Sequence, residues 1–222
     1  FKFNGQTGSS STSGYVMVKT TDAGAITTKG DNSYGVLAQS ISGGGGLQLG
    51  GKPVGSNASD FFADEAFNGN VEDDGTNDPT NPFANSGVFV DAGADITTSG
   101  AGAIGILAQS IGGGGGLAGD TSASNLLVGL AGANSKANGN GGYVGITVEN
   151  GATVSTSGVN APAIFVQSIG GGGGRVTTAD GAYIGTAGGK GIGKNIDITV
   201  NGTVQATGQG SAAIMAQSQG DS

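Results

Sequence analysis

The side chains best suited to holding charge are crowded into one stretch. Residues 56–86 carry Asp60, Asp64, Glu65, Glu72, Asp73, Asp74 and Asp78, seven of the sixteen acids in the chain. Calcium takes several carboxylate and carbonyl oxygens at once, so Asp64, Glu65, Glu72, Asp73, Asp74 and Asp78 are the candidate ligands for it. The run EDDGTNDPTN lacks the EF-hand spacing and its bidentate position, and no GGxGxD repeat follows the glycine runs. A solvated acidic loop is the plainer reading, and calcium is the one cofactor the residues suggest. The same stretch holds Phe61, Phe62, Phe67 and Phe83, half of the eight phenylalanines. They read as a lateral cap over apolar surface or, alternatively, as a partner surface. Ser59 or Asp60 could cap one or two helical turns through Phe67, and past Asn68 the string turns loop-like.

Reactive chemistry has few other places to reside. The chain contains no cysteine and no histidine, which removes disulfides, thiolate and imidazole metal ligands, the usual proton shuttle and the Ser/His or Cys/His nucleophile pairs. A polysaccharide lyase or hydrolase would need clustered carboxylates, or a carboxylate beside a cation, in a groove. The eight cations, Lys2, Lys19, Lys29, Lys52, Lys136, Arg175, Lys190 and Lys194, are scattered, and the sole arginine follows a glycine run. A phosphate-cradling loop would need GxxxxGK[ST] or GxGxxG between a strand and a helix. The expectation is a protein that is not an enzyme.

Glycine accounts for 49 of the 222 residues and proline for 4, without a collagen-like triplet, while 36% of residues are apolar, so a core can still form. The net charge of −8 offers no basic stripe for nucleic acid. No run approaches the roughly 18 apolar residues of a membrane-spanning helix. The chain opens Phe1-Lys2-Phe3, with neither an initiator methionine nor a signal pattern, and reads as a processed piece or a fragment.

The elements that position these residues are repeats. GVLAQSISGGGG (35–46), GILAQSIGGGGG (105–116), IFVQSIGGGGG (164–174) and IMAQSQG (214–220) share one phrase, with Gln39, Gln109, Gln167 and Gln217 spaced by 70, 58 and 50 residues. Upstream lie GAITTKG (24–30), GADITTSG (93–100), GATVSTSG (151–158) and GTVQATG (202–208). Before these come Val16-Met17-Val18, Val88-Phe89-Val90, Ile146-Thr147-Val148 and Ile198-Thr199-Val200. Each repeat therefore holds three period-two, β-branched pieces in fixed order. The repeats run approximately over 15–46, 87–116, 143–174 and 196–220, with 56–86 as an insertion in a single domain 1–222.

Pieces this short bury nothing alone, but stacked copy on copy they build a continuous interior. The predicted fold is all-β: a right-handed parallel β-helix, a solenoid of about three short strands per coil with inserted loops and glycine runs at the corners. Helix is disfavoured by the glycine content. An immunoglobulin-like sandwich is the structural rival, although it does not require one phrase at successive levels. Weaker similarity among GLQLGG (46–51), NLLVGLAGAN (125–134) and AYIGTAGGKG (182–191) suggests a second coil per repeat.

In the third piece Val36, Ile106, Ile164 and Ile214 align, then Ala38, Ala108, Val166 and Ala216, then Ser40, Ser110, Ser168 and Ser218. The opposite side carries Leu37, Leu107, Phe165 and Met215 and the four glutamines. A strand apolar on both sides is covered on both, so the inserts or another molecule should cover the outward one. The glutamines and serines are expected to form a structural ladder of stacked side chains. The alternative for the glutamines is an outward column that binds glycan or peptide.

The phrase GILAQSIGGGGG, preceded by a VxV strand and GADITTSG, resembles the passenger-region repeats of large Gram-negative autotransporter adhesins, the type V secretion class. The resemblance extends from about residue 15 to 220, although Gln219 stands where the other copies have isoleucine. It implies a right-handed parallel β-helix on the extracellular side of a Gram-negative cell surface, exported with the help of a signal peptide and a C-terminal β-barrel. It also implies a non-enzymatic adhesin or stalk in adhesion, aggregation or biofilm formation, with a host or neighbouring-cell protein or glycan as partner. No nucleic acid and no membrane insertion by this segment are expected. The competing expectation is an extracellular fibre or surface-layer protein, polymerising through β-helix ends or an apolar lateral face.

Overall fold

The computed structural model describes residues 13–43, 45–49, 87–121, 138–178, 181–186 and 189–220. Every regular element among them is a strand. The first repeat supplies β1 (Val16–Thr20), β2 (Ala25–Thr28), β3 (Val36–Ile41) and β4 (Gly45–Leu49). The second supplies β5 (Gly87–Ala92), β6 (Asp95–Thr98), β7 (Ile106–Ile111) and β8 (Gly115–Thr121). The third supplies β9 (Tyr143–Val148), β10 (Thr153–Thr156), β11 (Ile164–Ile169) and β12 (Gly173–Thr178), followed by β13 (Gly181–Thr186). The last supplies β14 (Ile196–Val200), β15 (Thr203–Ala206) and β16 (Ile214–Gln219).

Corresponding strands of the four repeats lie side by side, in the sheets β1-β5-β9-β14, β2-β6-β10-β15 and β3-β7-β11-β16. All pairings in these three sheets are parallel, and the register is residue on equivalent residue: Ile26 on Ile96 on Val154 on Val204, and Val36 on Ile106 on Ile164 on Ile214. The fold is thus all-β, with parallel strands in stacked sheets, as in a β-helix.

Period-two alternation decides what each strand buries. Val88, Val90 and Ala92 of the first sheet, Ile96 and Val154 of the second, and Ile106, Ala108, Ile164 and Val166 of the third meet in one apolar cluster. Each fully buried aliphatic side chain contributes about 1.5–3 kcal/mol, so the cluster is the main adhesive of the stack. The turns stack as well. Asn32 N–H donates to Ala101 O, Gly102 N–H to Val159 O and Asn160 N–H to Gln209 O, each at 2.8–2.9 Å. Thr28 Oγ1 and Thr156 Oγ1 brace the turn after the second strand by donating to Ser33 O at 2.6 Å and Ala161 O at 2.5 Å. Thr98 does the same to Ala103 O.

One expectation is corrected here. The glycine runs are not only corners: Gly43, Gly113, Gly114, Gly171 and Gly172 turn the chain at φ of 76–86°, but the glycines after them begin a fourth strand. Those strands form the sheet β4-β8-β12-β13. In the third repeat the stretch after the fourth strand folds back, because β13 runs antiparallel to β12 as a hairpin; NLLVGLAGAN (125–134), the counterpart stretch in the second repeat, lies outside the described residues.

The fourth sheet lies against the outward face of the third. Leu117 of β8 packs in a second apolar cluster with Ile104, Leu107 and Phe165, so β7 and β11 are buried on both faces. The sequence reading assigned that cover to the inserts or to another molecule. The described cover is instead built by the residues that directly follow the glutamine phrase. Period two could not reveal it, because glycine has no side chain with which to mark a face.

Close stacking leaves no room for a Cβ in some columns. A Cβ on Gly158 would stand 1.8 Å from the carbonyl oxygen of Gly100, whereas one on Gly24 would meet nothing within 4 Å. Gly158→Ala is expected to lower the free energy of unfolding by about 1–3 kcal/mol or more, and with it the urea midpoint, since backbone must shift in a packed column. Gly24→Ala is expected to be neutral or stabilising by about 0.4–1 kcal/mol through the unfolded chain. Equal effects in equilibrium urea unfolding would contradict the stacked turns.

Candidate functional site

The glutamine phrase places four amides one above another on the outward face of the third sheet. Parallel strands are about 4.8 Å apart, a spacing that lets one primary amide donate to the next carbonyl. Gln39 Nε2 donates to Gln109 Oε1 at 2.7 Å, Gln109 Nε2 to Gln167 Oε1 at 2.5 Å, and Gln167 Nε2 to Gln217 Oε1 at 2.7 Å. At the end of the column Gln217 Nε2 turns to Gln219 Oε1. The second hydrogen of each central amide points across to the glycine strands. Gln109 Nε2 reaches Gly116 O at 3.5 Å and Gln167 Nε2 reaches Gly174 O at 3.4 Å.

The glycines make that approach possible. Gly174 has φ of 139° and its Cβ would fall 1.9 Å from Gly116 O, so a side chain there would both strain the backbone and separate the strands. With no side chains intervening, the cover comes down onto the amides, and Gln109 and Gln167 are fully buried. Neither faces a glycan or a peptide. Together they form a buried polar seam joining two sheets, of the kind found in stacked amide ladders.

The serines behave differently from a ladder of like on like. Ser168 Oγ donates to Gly142 O at 2.7 Å, just before the first strand of its own repeat, and accepts Lys194 N–H at 2.8 Å, just before the first strand of the next. Ser40 Oγ donates to Gly14 O at 2.6 Å, Ser218 Oγ donates to Lys194 O at 2.8 Å, and Ser110 Oγ accepts Gly142 N–H at 2.8 Å. The hydroxyls staple the end of the third strand to the start of the first.

One cation missed by the sequence reading sits inside this seam. Arg175, on β12, is 2% exposed. Its guanidinium carbon lies 5.3 Å from the centroid of the Phe165 ring, and NH2 donates to Asn160 O at 3.3 Å. Burial pulls its pKa down, and the nearby Tyr34 hydroxyl opposes that shift. Burial pushes Tyr34 up, with the Arg175 charge acting against it. Its position directly after a glycine run was the only available signal, and that signal acquires meaning only once the run is known to be a strand.

The outward side of the first sheet carries the described surface aromatics. Phe89 and Tyr143 stack with centroids 5.5 Å apart, over the space left by Gly145. Tyr143 donates to Asp197, and Lys19 pairs with Asp91 at 2.5 Å. Tyr143 is held well above its usual pKa by burial and by the Asp197 acceptor. Tyr15 and Met17 are exposed beside them.

The candidate calcium ligands Asp64, Glu65, Glu72, Asp73, Asp74 and Asp78, and the candidate partner surface Phe61, Phe62, Phe67 and Phe83, lie outside the described residues, as does the helical cap after Ser59. Among the described residues no group of three or more metal-ligating side chains comes together, and no helix is long and apolar enough to cross a membrane.

Gln109→Leu should lower stability by about 2–5 kcal/mol, because it strands a half-buried donor on Gln39 and a buried acceptor on Gln167. Gln39→Leu, at the half-buried end, should cost less. A double-mutant cycle between positions 109 and 167 should show coupling of at least about 0.5 kcal/mol. Additive losses in denaturant titrations would mean that the amides do not act as a column. No family model, curated protein or solved structure matches the chain.

Proposed function

We propose that the chain is a segment of right-handed parallel β-helix with three short strands per coil, serving as a non-enzymatic adhesin or structural stalk in the passenger of a Gram-negative autotransporter. It stands on the extracellular side of the cell surface and mediates adhesion, aggregation or biofilm formation, with a protein or glycan of a host or neighbouring cell as partner. The observation that carries this reading is the unbroken register of equivalent residues through four repeats, bound by amide, serine and backbone links from level to level. Such a stack supplies length and rigidity. Among the described acids, Asp91 pairs with Lys19, Asp197 accepts from Tyr143, and Asp31 and Asp95 accept the backbone N–H groups of Ala101 and Thr153 in the neighbouring repeat, which supports a scaffold over a catalytic groove. The insertion 56–86 is the segment most unlike the repeat and is assigned the contacts, with calcium as its candidate ligand.

The second reading is a self-assembling fibre or surface-layer protein. It is favoured by the large apolar side chains of Tyr15, Met17, Ile192, Val200 and Ile214, which stand exposed among the described residues. The lateral route has less support, because the fourth sheet covers the apolar face that would serve it.

Fusing the chain to a β-barrel translocator and displaying it on a Gram-negative cell tests the proposal. Displaying cells should sediment and attach to surfaces faster than cells with the barrel alone, and deleting 56–86 should reduce attachment while leaving the circular dichroism of the stack intact. Purified chain should remain a monomer by light scattering across a concentration series. Unchanged sedimentation and attachment, with light scattering that grows with concentration, would replace the adhesin by the fibre.

A further inference from the structure

The seam between the third and fourth sheets contains a positive charge for which no described residue supplies a counter-charge. Among the described residues the one ion pair is Lys19 with Asp91, so no described carboxylate reaches Arg175. Its NH1 makes no hydrogen bond although the residue is 2% exposed. The hydroxyl of Tyr34, also buried, likewise makes none. Tyr34 packs against the cluster of Ile104, Leu107, Leu117 and Phe165, the apolar filling of the same seam, and Arg175 is paired in register with Leu117 of that cluster. The two side chains act electrostatically on one another. Two unpartnered donors and one full charge therefore border the same apolar cluster.

Leaving a guanidinium in this state is costly. A buried charge is retained when paired and hydrogen-bonded, and arginine does not escape by losing its proton. The Phe165 face and the Asn160 carbonyl supply part of the compensation, but neither carries a negative charge. Water would satisfy the donors and leave the charge standing. A small monovalent anion does both, accepting from NH1 and from the tyrosine hydroxyl while neutralising the guanidinium. A divalent anion would overcompensate the single guanidinium and leave a buried net negative charge.

We propose that Arg175 and Tyr34 form an internal halide site between the third and fourth sheets. The bound anion locks the glycine-strand cover onto the outward face of the third sheet, so halide stabilises the folded chain by binding it and not the unfolded one.

The test uses the full chain at constant ionic strength, replacing sodium gluconate by sodium chloride or bromide. The thermal midpoint should rise saturably with halide. In Tyr34→Phe the half-saturating concentration should rise about tenfold, the loss expected for one hydrogen bond to a charged group. In Arg175→Met the dependence should vanish. Should Arg175→Met fail to fold, crystals of the unaltered chain soaked in bromide decide the matter, because an anomalous peak should stand within hydrogen-bond distance of Arg175 NH1 and Tyr34 Oη. A midpoint indifferent to halide, an equal halide response in Arg175→Met, or ordered water at that position without bromide would each overturn the site.

Discussion

Parallel backbones held one strand spacing apart, with every residue above its equivalent, are the constraint on which the remainder of the molecule depends. At about 4.8 Å between levels, any side chain presented at one level meets the same position at the next. Only a few solutions suit that distance. Aliphatic residues pack on their own kind, as in the Val36, Ile106, Ile164 and Ile214 column. Primary amides donate to primary amides, and where backbone meets backbone in a turn, glycine replaces everything larger. The similarity of the repeats is thus a geometric requirement of stacking.

The same constraint explains the division of labour between polar groups. A glutamine offers both donor and acceptor in one plane, so a column of them is self-satisfying. Serine has one hydrogen and a short reach. It turns instead to the backbone of the approaching first strand and ties the ends of each repeat together, as Ser168 does between Gly142 and Lys194. The central repeats are saturated in this way, and β7 and β11 bury every residue. In the first and last of the described repeats the corresponding strands β3 and β16 are less completely buried.

Glycine content, which by itself would suggest disorder, has a structural role in the fourth sheet. Chains without side chains approach the amide column closely enough to receive its spare hydrogens, and the buried seam that results holds Phe165, Leu107, Leu117 and the lone arginine. The hairpin of β12 and β13 closes that sheet while the other three continue to the last repeat. The stalk reading draws on the repetitive part of the structure, and the specificity of any contact must come from what departs from it.

Much of the stack was legible before any coordinate. The parallel neighbouring of the repeated phrases and the alignment of AQS with AQS follow from period-two patterning repeated at equivalent positions, since parallel stacking converts sequence identity directly into spatial adjacency. The glutamine column was legible for the same reason. The fourth sheet, the antiparallel turn of β13, the serine staples and the burial of Arg175 were not. A glycine run has no face to alternate, and a strand pattern records which side is apolar without recording what will cover it. The chain alone therefore determined which residues lie above one another, a local and periodic property. Only the tertiary structure decided which sheet packs on which, because that choice depends on how closely two backbones can approach.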